Sequence, residues 1–169
     1  MIRILTSADH ASFRELRLRA LQQHPVAFAT SAEAWAKASP ERTVAFLQDS
    51  ESPSPNFILG SFEGDRLTGM IGLRREGRAS VDHKGSLWGF FVLPDFRRTG
   101  TGRALLKEAL ARAAGMEMRY VRIVTATSSE AALALFEAQG FERYGLEPDG
   151  IKDDDGYYDQ VFMLRPLGA

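Results

Sequence analysis

The sequence predicts an α/β domain: a mixed, mostly antiparallel central sheet with helices on both faces. Three features of the chain carry that expectation. The segments Phe57 to Phe62, Leu67 to Arg74 and Val81 to Val92, joined by turn-rich stretches, read as an antiparallel meander. Leu87-Trp88-Gly89-Phe90-Phe91-Val92 has no polar side chain on either face, as suits a central strand covered on both sides. Beyond it the rhythm changes to helix, strand, helix, which adds an α/β second half.

Taken in order, Ile2 to Leu5 is a short first strand. A helix follows to about Gln23, with Phe13, Leu16, Ala20 and Leu21 at helical spacing, and Pro25 breaks it. Thr30-Ser31-Ala32-Glu33 fits a capping box with Thr30 as the cap, opening a short helix through Lys37. Pro40 begins the next helix at its first position, where a missing N–H costs nothing. Glu51-Ser52-Pro53-Ser54-Pro55 reads as a surface loop. Glu63-Gly64-Asp65-Arg66 and Glu76-Gly77-Arg78 turn the meander.

A helix from about Thr101 to Ala114 presents Leu105, Leu106, Ala109, Leu110 and Ala113 on one face. Arg119 to Thr125 is a strand with Val121 and Ile123 facing one way. Thr127-Ser128-Ser129-Glu130 fits a second capping box, and its helix runs to about Gln139 with Gly140 as the stop. Phe141 to Tyr144 and Tyr157 to Leu164 are the last strands. With 169 residues and no internal repeat, residues 1–169 form one domain.

Composition narrows the function. Apolar residues make up 44% and charged residues 25%, which excludes disorder and coiled coil. There is no cysteine, so disulfides, thiolate zinc sites and a cysteine nucleophile are excluded. His10, His24 and His83 are far apart in sequence, so no metal site is expected. A net charge of −1, from 21 basic and 22 acidic residues, argues against a general nucleic-acid binder. No apolar run approaches the roughly 20 residues that span a bilayer, and Met1-Ile2-Arg3-Ile4-Leu5 lacks a signal peptide's apolar core. A cytoplasmic protein without a membrane partner is the expectation.

The chemistry concentrates in Val92-Leu93-Pro94-Asp95-Phe96-Arg97-Arg98-Thr99-Gly100-Thr101-Gly102-Arg103. A buried strand ends, and a basic, glycine-containing loop feeds a helix. That is an anion cradle: glycines admit a phosphate to the backbone, and the helix N-terminus adds partial positive charge. Arg97, Arg98 and Arg103 add full charges. A Walker loop would need Lys and then Ser or Thr after its last glycine, where this chain has Arg103-Ala104. A dinucleotide fingerprint would need glycine at Leu105. On the loop alone, a plain strand–helix turn with surface arginines fits equally.

The flanking sequence carries a resemblance. Arg97-x-x-Gly100-x-Gly102 after a Val-x-Pro strand end resembles the pyrophosphate loop of the GNAT family of N-acetyltransferases, which bind acetyl-coenzyme A. Ala132-x-x-Leu135-Phe136-x-x-x-Gly140-Phe141 looks like that family's Ala-x-x-Leu-Tyr-x-x-x-Gly-Phe segment. Asp149-Gly150, Tyr157-Tyr158-Asp159 and Met163 are similar to the C-terminal strand of many members. The likeness covers roughly the whole chain and is specific from Trp88 to Phe141.

The resemblance implies a GNAT-like acyl-CoA N-acyltransferase fold and a transferase that moves the acetyl group of acetyl-CoA to a primary amine, on a small molecule or a peptide. The amine would attack the thioester directly, with no metal. The backbone at Phe91 and Val92 would run beside the pantetheine and polarise the thioester carbonyl. Arg97, Arg98, Thr99, Gly100, Thr101, Gly102 and Arg103 would hold the pyrophosphate. Gly89, in a strand of bulky residues, fits a bulge that splays this strand from Arg119 to Thr125. A homodimer is common in the family.

Three positions depart from the family pattern. Phe136 replaces a tyrosine that protonates the departing thiolate, and Ser129 replaces an asparagine near the pantetheine. Ser86 stands where some members have a strand glutamate. These departures keep a second function open, a catalytically silent acyl-CoA-binding or sensor domain. Candidate acid–base groups are Glu33, His83, Asp159 and Tyr158 (or Tyr157), each with a plainer role as cap, strand end, turn or packing residue. Asp153-Asp154-Asp155 lies where acceptors enter in this family and could attract a cationic amine, or be a solvated turn. Trp35 and Trp88 are pocket or core residues.

Overall fold

The computed structural model describes residues 1–51 and 54–168. Within the loop expected from Glu51 to Pro55, Ser52 and Pro53 therefore lie outside the described residues. The strands are β1 (Ile2–Ile4), β2 (Phe57–Glu63), β3 (Arg66–Arg75), β4 (Lys84–Val92), β5 (Tyr120–Ala126), β6 (Glu142–Asp153) and β7 (Gly156–Pro166). They form one sheet in the order β1-β2-β3-β4-β5-β7-β6, and among the described residues only β4 and β5 pair in parallel. The helices are α1 (His10–Gln23), α2 (Ala32–Lys37), α3 (Pro40–Glu51), α4 (Thr101–Ala114) and α5 (Glu130–Ala138).

Alternating strand residues divide the core in two. Ile58, Met70 and Phe91 point to α1 and α3, where they meet Phe13, Leu16, Ala20 and Leu47. Phe57, Leu59 and Ile71 point to α4 and α5, where they meet Leu105, Leu106, Ala109 and Phe136. Each fully buried Leu, Ile or Phe contributes roughly 1.5–3 kcal/mol, so both helical layers are held by their apolar stripes. The stripes of α1 and α4 are those expected from the sequence.

β4 breaks the alternation. Leu87 and Phe91 are four residues apart, which in a regular strand puts them on one face. Here Leu87 joins the α4 core and Phe91 the α1 core. Pairing with β3 steps from Gly72↔Trp88 to Met70↔Phe91, so β3 advances two residues while β4 advances three. The extra residue is absorbed at Gly89, whose φ of +67° favours glycine. On the other side, parallel pairing with β5 runs only from Lys84↔Tyr120 to Ser86↔Arg122 and stops short of the bulge. The expected splay between these strands is present.

Several local readings are corrected. Ser31, not Thr30, caps α2, its Oγ accepting from Ala34 N at 3.1 Å, and Glu33 pairs with Lys37 instead of closing a box. At α5 the N-cap is Ser129, and its side chain makes no capping bond, so the second box does not form. β4 starts at Lys84, because Val81 and Lys84 amides close successive turns onto Arg78 and Val81 carbonyls at 2.8 and 3.1 Å. β6 runs to Asp153 rather than Tyr144. It is an edge strand with two irregularities against β7, so it carries little of the apolar alternation that marks inner strands.

The start of α1 is tied to β1 by a fork. Arg3 Nη1 and Nη2 donate to the two Asp9 carboxylate oxygens, each at 2.7 Å, and Thr6 N donates to Asp9 Oδ2 at 2.8 Å. These bonds, Arg3's first, hold the Asp9 carboxyl below its ordinary range against the opposing effect of burial. A carboxylate lowered in the native state stabilises the fold above its unfolded pKa and ceases to as pH falls through its native value. Asp9→Asn should therefore lower the melting temperature at pH 7, with a gap to wild type that begins to close near pH ~4. Thermal melts from pH 7 to 2.5 check this; an undiminished gap at the acid end contradicts it.

Candidate active site

The gap between β4 and β5 belongs to a cavity of about 1430 Å³. That exceeds the roughly 300–1,000 Å³ of a pocket for one small ligand. Its walls come from both sides of the sheet. Arg98, Gly100, Gly102 and Arg103 contribute from the α4 end, Arg17, Phe28 and Trp88 from the α1 end.

At the α4 end the chain leaves β4 through a single 3-10 turn, Pro94–Phe96, and enters the helix at Thr101. Gly100 is the N-cap with φ +92° and offers no side chain to cap the first turn. Thr99 Oγ1 donates to Phe96 O at 2.7 Å and lies 2.9 Å from Thr101 Oγ1, which ties the loop to itself and leaves both threonines outside the cavity wall. A Cβ on Gly102 would lie 3.1 Å from Phe90 Cζ, so glycine lets the first turn sit close against β4. An uncapped helix N-terminus bordered by Arg98 and Arg103 suits a phosphate ester.

Arg97 has other engagements. Its Nε donates to Val92 O at 3.0 Å, and Nη2 lies 3.1 Å from His24 Nε2 and 3.4 Å from Gln23 Oε1. Its guanidinium also sits 5.6 Å from the Phe91 ring centre. It braces the end of β4 against the end of α1. Phe91, Val92, Ser129 and Phe136 also line the cavity. Phe136 is fully buried between Phe90 and Phe141, at ring distances of 5.5 and 5.8 Å.

The α1 end holds a different set. Arg17 lies over the rings of Trp35 (4.9 Å) and Trp88 (5.2 Å). Among the described residues its Nε and Nη1, both buried, have no hydrogen-bond partner, and burial alone pushes its pKa down to about 10. Ser86 on β4 donates to Glu76 Oε1 at 3.2 Å and accepts from Arg122 Nε at 2.9 Å, while Arg122 Nη2 pairs with the same Glu76 oxygen. His24 is held below its ordinary pKa by burial and by the Arg97 charge, so it is neutral at pH 7.

Of the residues singled out in the sequence, Phe91, Val92, Arg97, Arg98, Gly100, Gly102, Arg103, Ser129, Phe136, Trp88, Ser86 and Asp153 line one cavity. Glu33, His83, Tyr157, Tyr158 and Asp159 do not. Glu33 is exposed and 2.5 Å from Lys37 Nζ. His83 sits in the turn before β4, edge-on to Tyr120 at 6.0 Å. The Tyr158 phenol is raised by desolvation and by Asp153 and Asp155, and Asp159 accepts from Asp149 N at 3.0 Å within the β6–β7 hairpin. Asp153 Oδ1 also accepts from Asp155 N and Gly156 N, closing that hairpin.

Sequence reasoning missed Arg17, His24 and Glu76. Arg17 and His24 lie on and just beyond a helix whose polar positions all look alike. Glu76 is ten residues from Ser86 and meets it only because β3 and β4 pair with Arg74 opposite Ser86.

The fold is an α/β domain whose sheet splits beside a basic, anion-suited helix N-terminus. The chain belongs to the acetyltransferase (GNAT) family, whose model matches residues 13–141. It is 35% identical over 102 residues to the N-alpha-acetyltransferase RimI of Mycobacterium tuberculosis, a match covering 60% of this chain and 61% of that protein. The matched stretches span between 25% and 61% of the lengths of the curated relatives. A GNAT-family acetyltransferase from Streptococcus pneumoniae superposes with a TM-score of 0.90 at 21% identity, covering 99% of each chain. The Salmonella typhimurium acetyltransferase yncA, solved with acetyl-CoA, superposes at 0.87 and 19% identity, covering 100% of this chain and 94% of that one. At these identities the superpositions establish the fold.

Gly100 offers a clean conformational test. Nothing lies within 4 Å of a Cβ placed there, so only its left-handed φ resists substitution. Gly100→Ala should cost about 1–2 kcal/mol in urea unfolding. A neutral outcome would mean the α4 cap is not held in this conformation.

Proposed function

We propose that this protein is an N-acetyltransferase that moves the acetyl group of acetyl-CoA to a primary amine by direct attack. The observation that carries the reading is the uncapped start of α4, bordered by Arg98 and Arg103, opening onto the split between β4 and β5. Family membership supports the same reading. The cradle residues fit a diphosphate in charge and in backbone access. Bound acetyl-CoA supplies an activated acyl thioester.

In this reading the α4 amides, Arg98 and Arg103 hold the diphosphate, and the backbone at Phe91 and Val92 runs beside the thioester. Polarising that carbonyl stabilises the negative charge that grows as the amine attacks. Ser86 lines the cavity and keeps one lone pair free for an N–H of the amine, while its own proton points to Glu76 behind the cavity wall. The amine's proton is therefore assigned to a relay through Ser86 to Glu76, in preference to Glu33 or His83. The C–S bond breaks as the C–N bond forms. Phe136 has no proton to give, and a thiol with pKa near 8.5 leaves as thiolate at modest cost. Among the described residues no group of three or more His, Cys, Asp or Glu is placed to hold a metal ion. Among the same residues no helix is long and apolar enough to cross a membrane.

Calorimetry with acetyl-CoA, followed by release of free thiol with a panel of amines, tests the reading. One-site binding, weakened about tenfold or more in the double variant Arg98→Met/Arg103→Met, is expected, as is amine-dependent thiol release. Glu76→Gln should cut kcat/KM by roughly 10²-fold with acetyl-CoA affinity unchanged. Binding without thiol release from any amine would favour the silent sensor. Absence of binding at millimolar acetyl-CoA would overturn both.

A further inference from the structure

The α1 end of the cavity carries an unexplained charge. Arg17 reaches the cavity wall from the second turn of α1, and its Nη1 comes within 3.3 Å of where a Gly89 Cβ would stand. A side chain at the bulge would crowd this guanidinium, so the residue that splits the sheet also makes room for it. Trp88 is seated by a second glycine: a Cβ on Gly72 would lie 2.2 Å from its Cε2. Trp35 is fixed by a hydrogen bond from its Nε1 to Arg14 O at 3.1 Å. The guanidinium is thus held between built walls.

Its hydrogen-bonding capacity is unspent. Nε and Nη1 find no acceptor, and among the described residues no carboxylate lies within 4 Å of it, although Glu130 and Asp153 line the same cavity. A buried guanidinium without a counter-charge is costly. The indole faces offset only part of that cost. The remaining cations at this end, Arg74 and Arg122, leave the surroundings net positive, with Glu76 committed to Arg122 and Ser86.

We infer that Arg17 is an acceptor-binding residue that recognises a carboxylate, so the amine substrate is a small, amino-acid-like molecule carrying both groups. The inference rests on the acetyltransferase reading and narrows its acceptor. A planar guanidinium matches a planar carboxylate with paired N–H donors, which fixes the acceptor's orientation as well as its affinity. The amine end then faces the split where the thioester is expected.

The chain contains two tryptophans and both flank Arg17, so their emission reports on this site directly. Wild type, Arg17→Met and Arg17→Lys are titrated with a panel of α- and ω-amino acids and the matching carboxamides, following tryptophan fluorescence and thiol release from acetyl-CoA. At least one amino acid should give a saturable emission change and a kcat/KM about 30-fold or more above its carboxamide. Arg17→Met should abolish both differences, Arg17→Lys should restore part, and calorimetric acetyl-CoA affinity should be the same in all three. The inference is overturned if no carboxylate perturbs the wild-type emission, if carboxamides serve as well as acids, or if the preference survives Arg17→Met. Acetyl-CoA binding without carboxylate dependence would remove this inference alone, whereas loss of acetyl-CoA binding from wild type would remove the acetyltransferase reading beneath it.

Discussion

One extra residue in β4 organises the rest of this molecule. Sheet geometry allows a strand either to pair along its length or to bulge, and at Gly89 β4 bulges. The bulge flips Phe91 into the opposite core from Leu87, and parallel pairing with β5 ends at Ser86. The space between the two strands follows from that. A β4 that paired with β5 along its whole length would leave no passage between the α1 and α4 faces.

Charge is distributed to match. The whole chain is close to neutral, at −1, yet the cavity wall collects Arg17, Arg74, Arg97, Arg98, Arg103 and Arg122. They are not equivalent. Arg97 and Arg122 are spent on internal bonds, as a brace and as an ion-pair partner. Arg98 and Arg103 stand at the helix N-terminus, where an anion also gains from the helix dipole. Arg17 stands apart between indoles. Two separated cationic sites with the uncharged stretch 85–92 of β4 between them suit two anionic groups at opposite ends of a transfer reaction.

The α4 half of the site was legible in the sequence because it is local. A strand end, a glycine pair and a helix start lie within twelve residues, and their chemistry is the chemistry of their order. Gly89 was legible as a candidate bulge, although Gly72, which seats Trp88, shows that a strand glycine can equally serve close packing; its φ of +67° decides between the two. The α1 half was not. Arg17 becomes unusual only when Trp35 and Trp88 close over it, and Glu76 only when the meander brings it across from Ser86. Arg97 shows the converse: its position in the loop motif was plain, but its long side chain turns back to Val92 and His24. Capping was misjudged at both α2 and α5, because several adjacent serines and threonines can each serve as the cap and backbone geometry chooses among them.

The most direct measurement is a crystal structure of the protein with CoA bound. The account predicts the diphosphate against the Gly100–Arg103 amides with Arg98 and Arg103 beside it. The pantetheine should then run along Phe91 and Val92 in the split between β4 and β5, its thiol turned toward Ser86 and Arg17. A β4 and β5 that close up, or CoA bound outside the split, would contradict the role given to the Gly89 bulge.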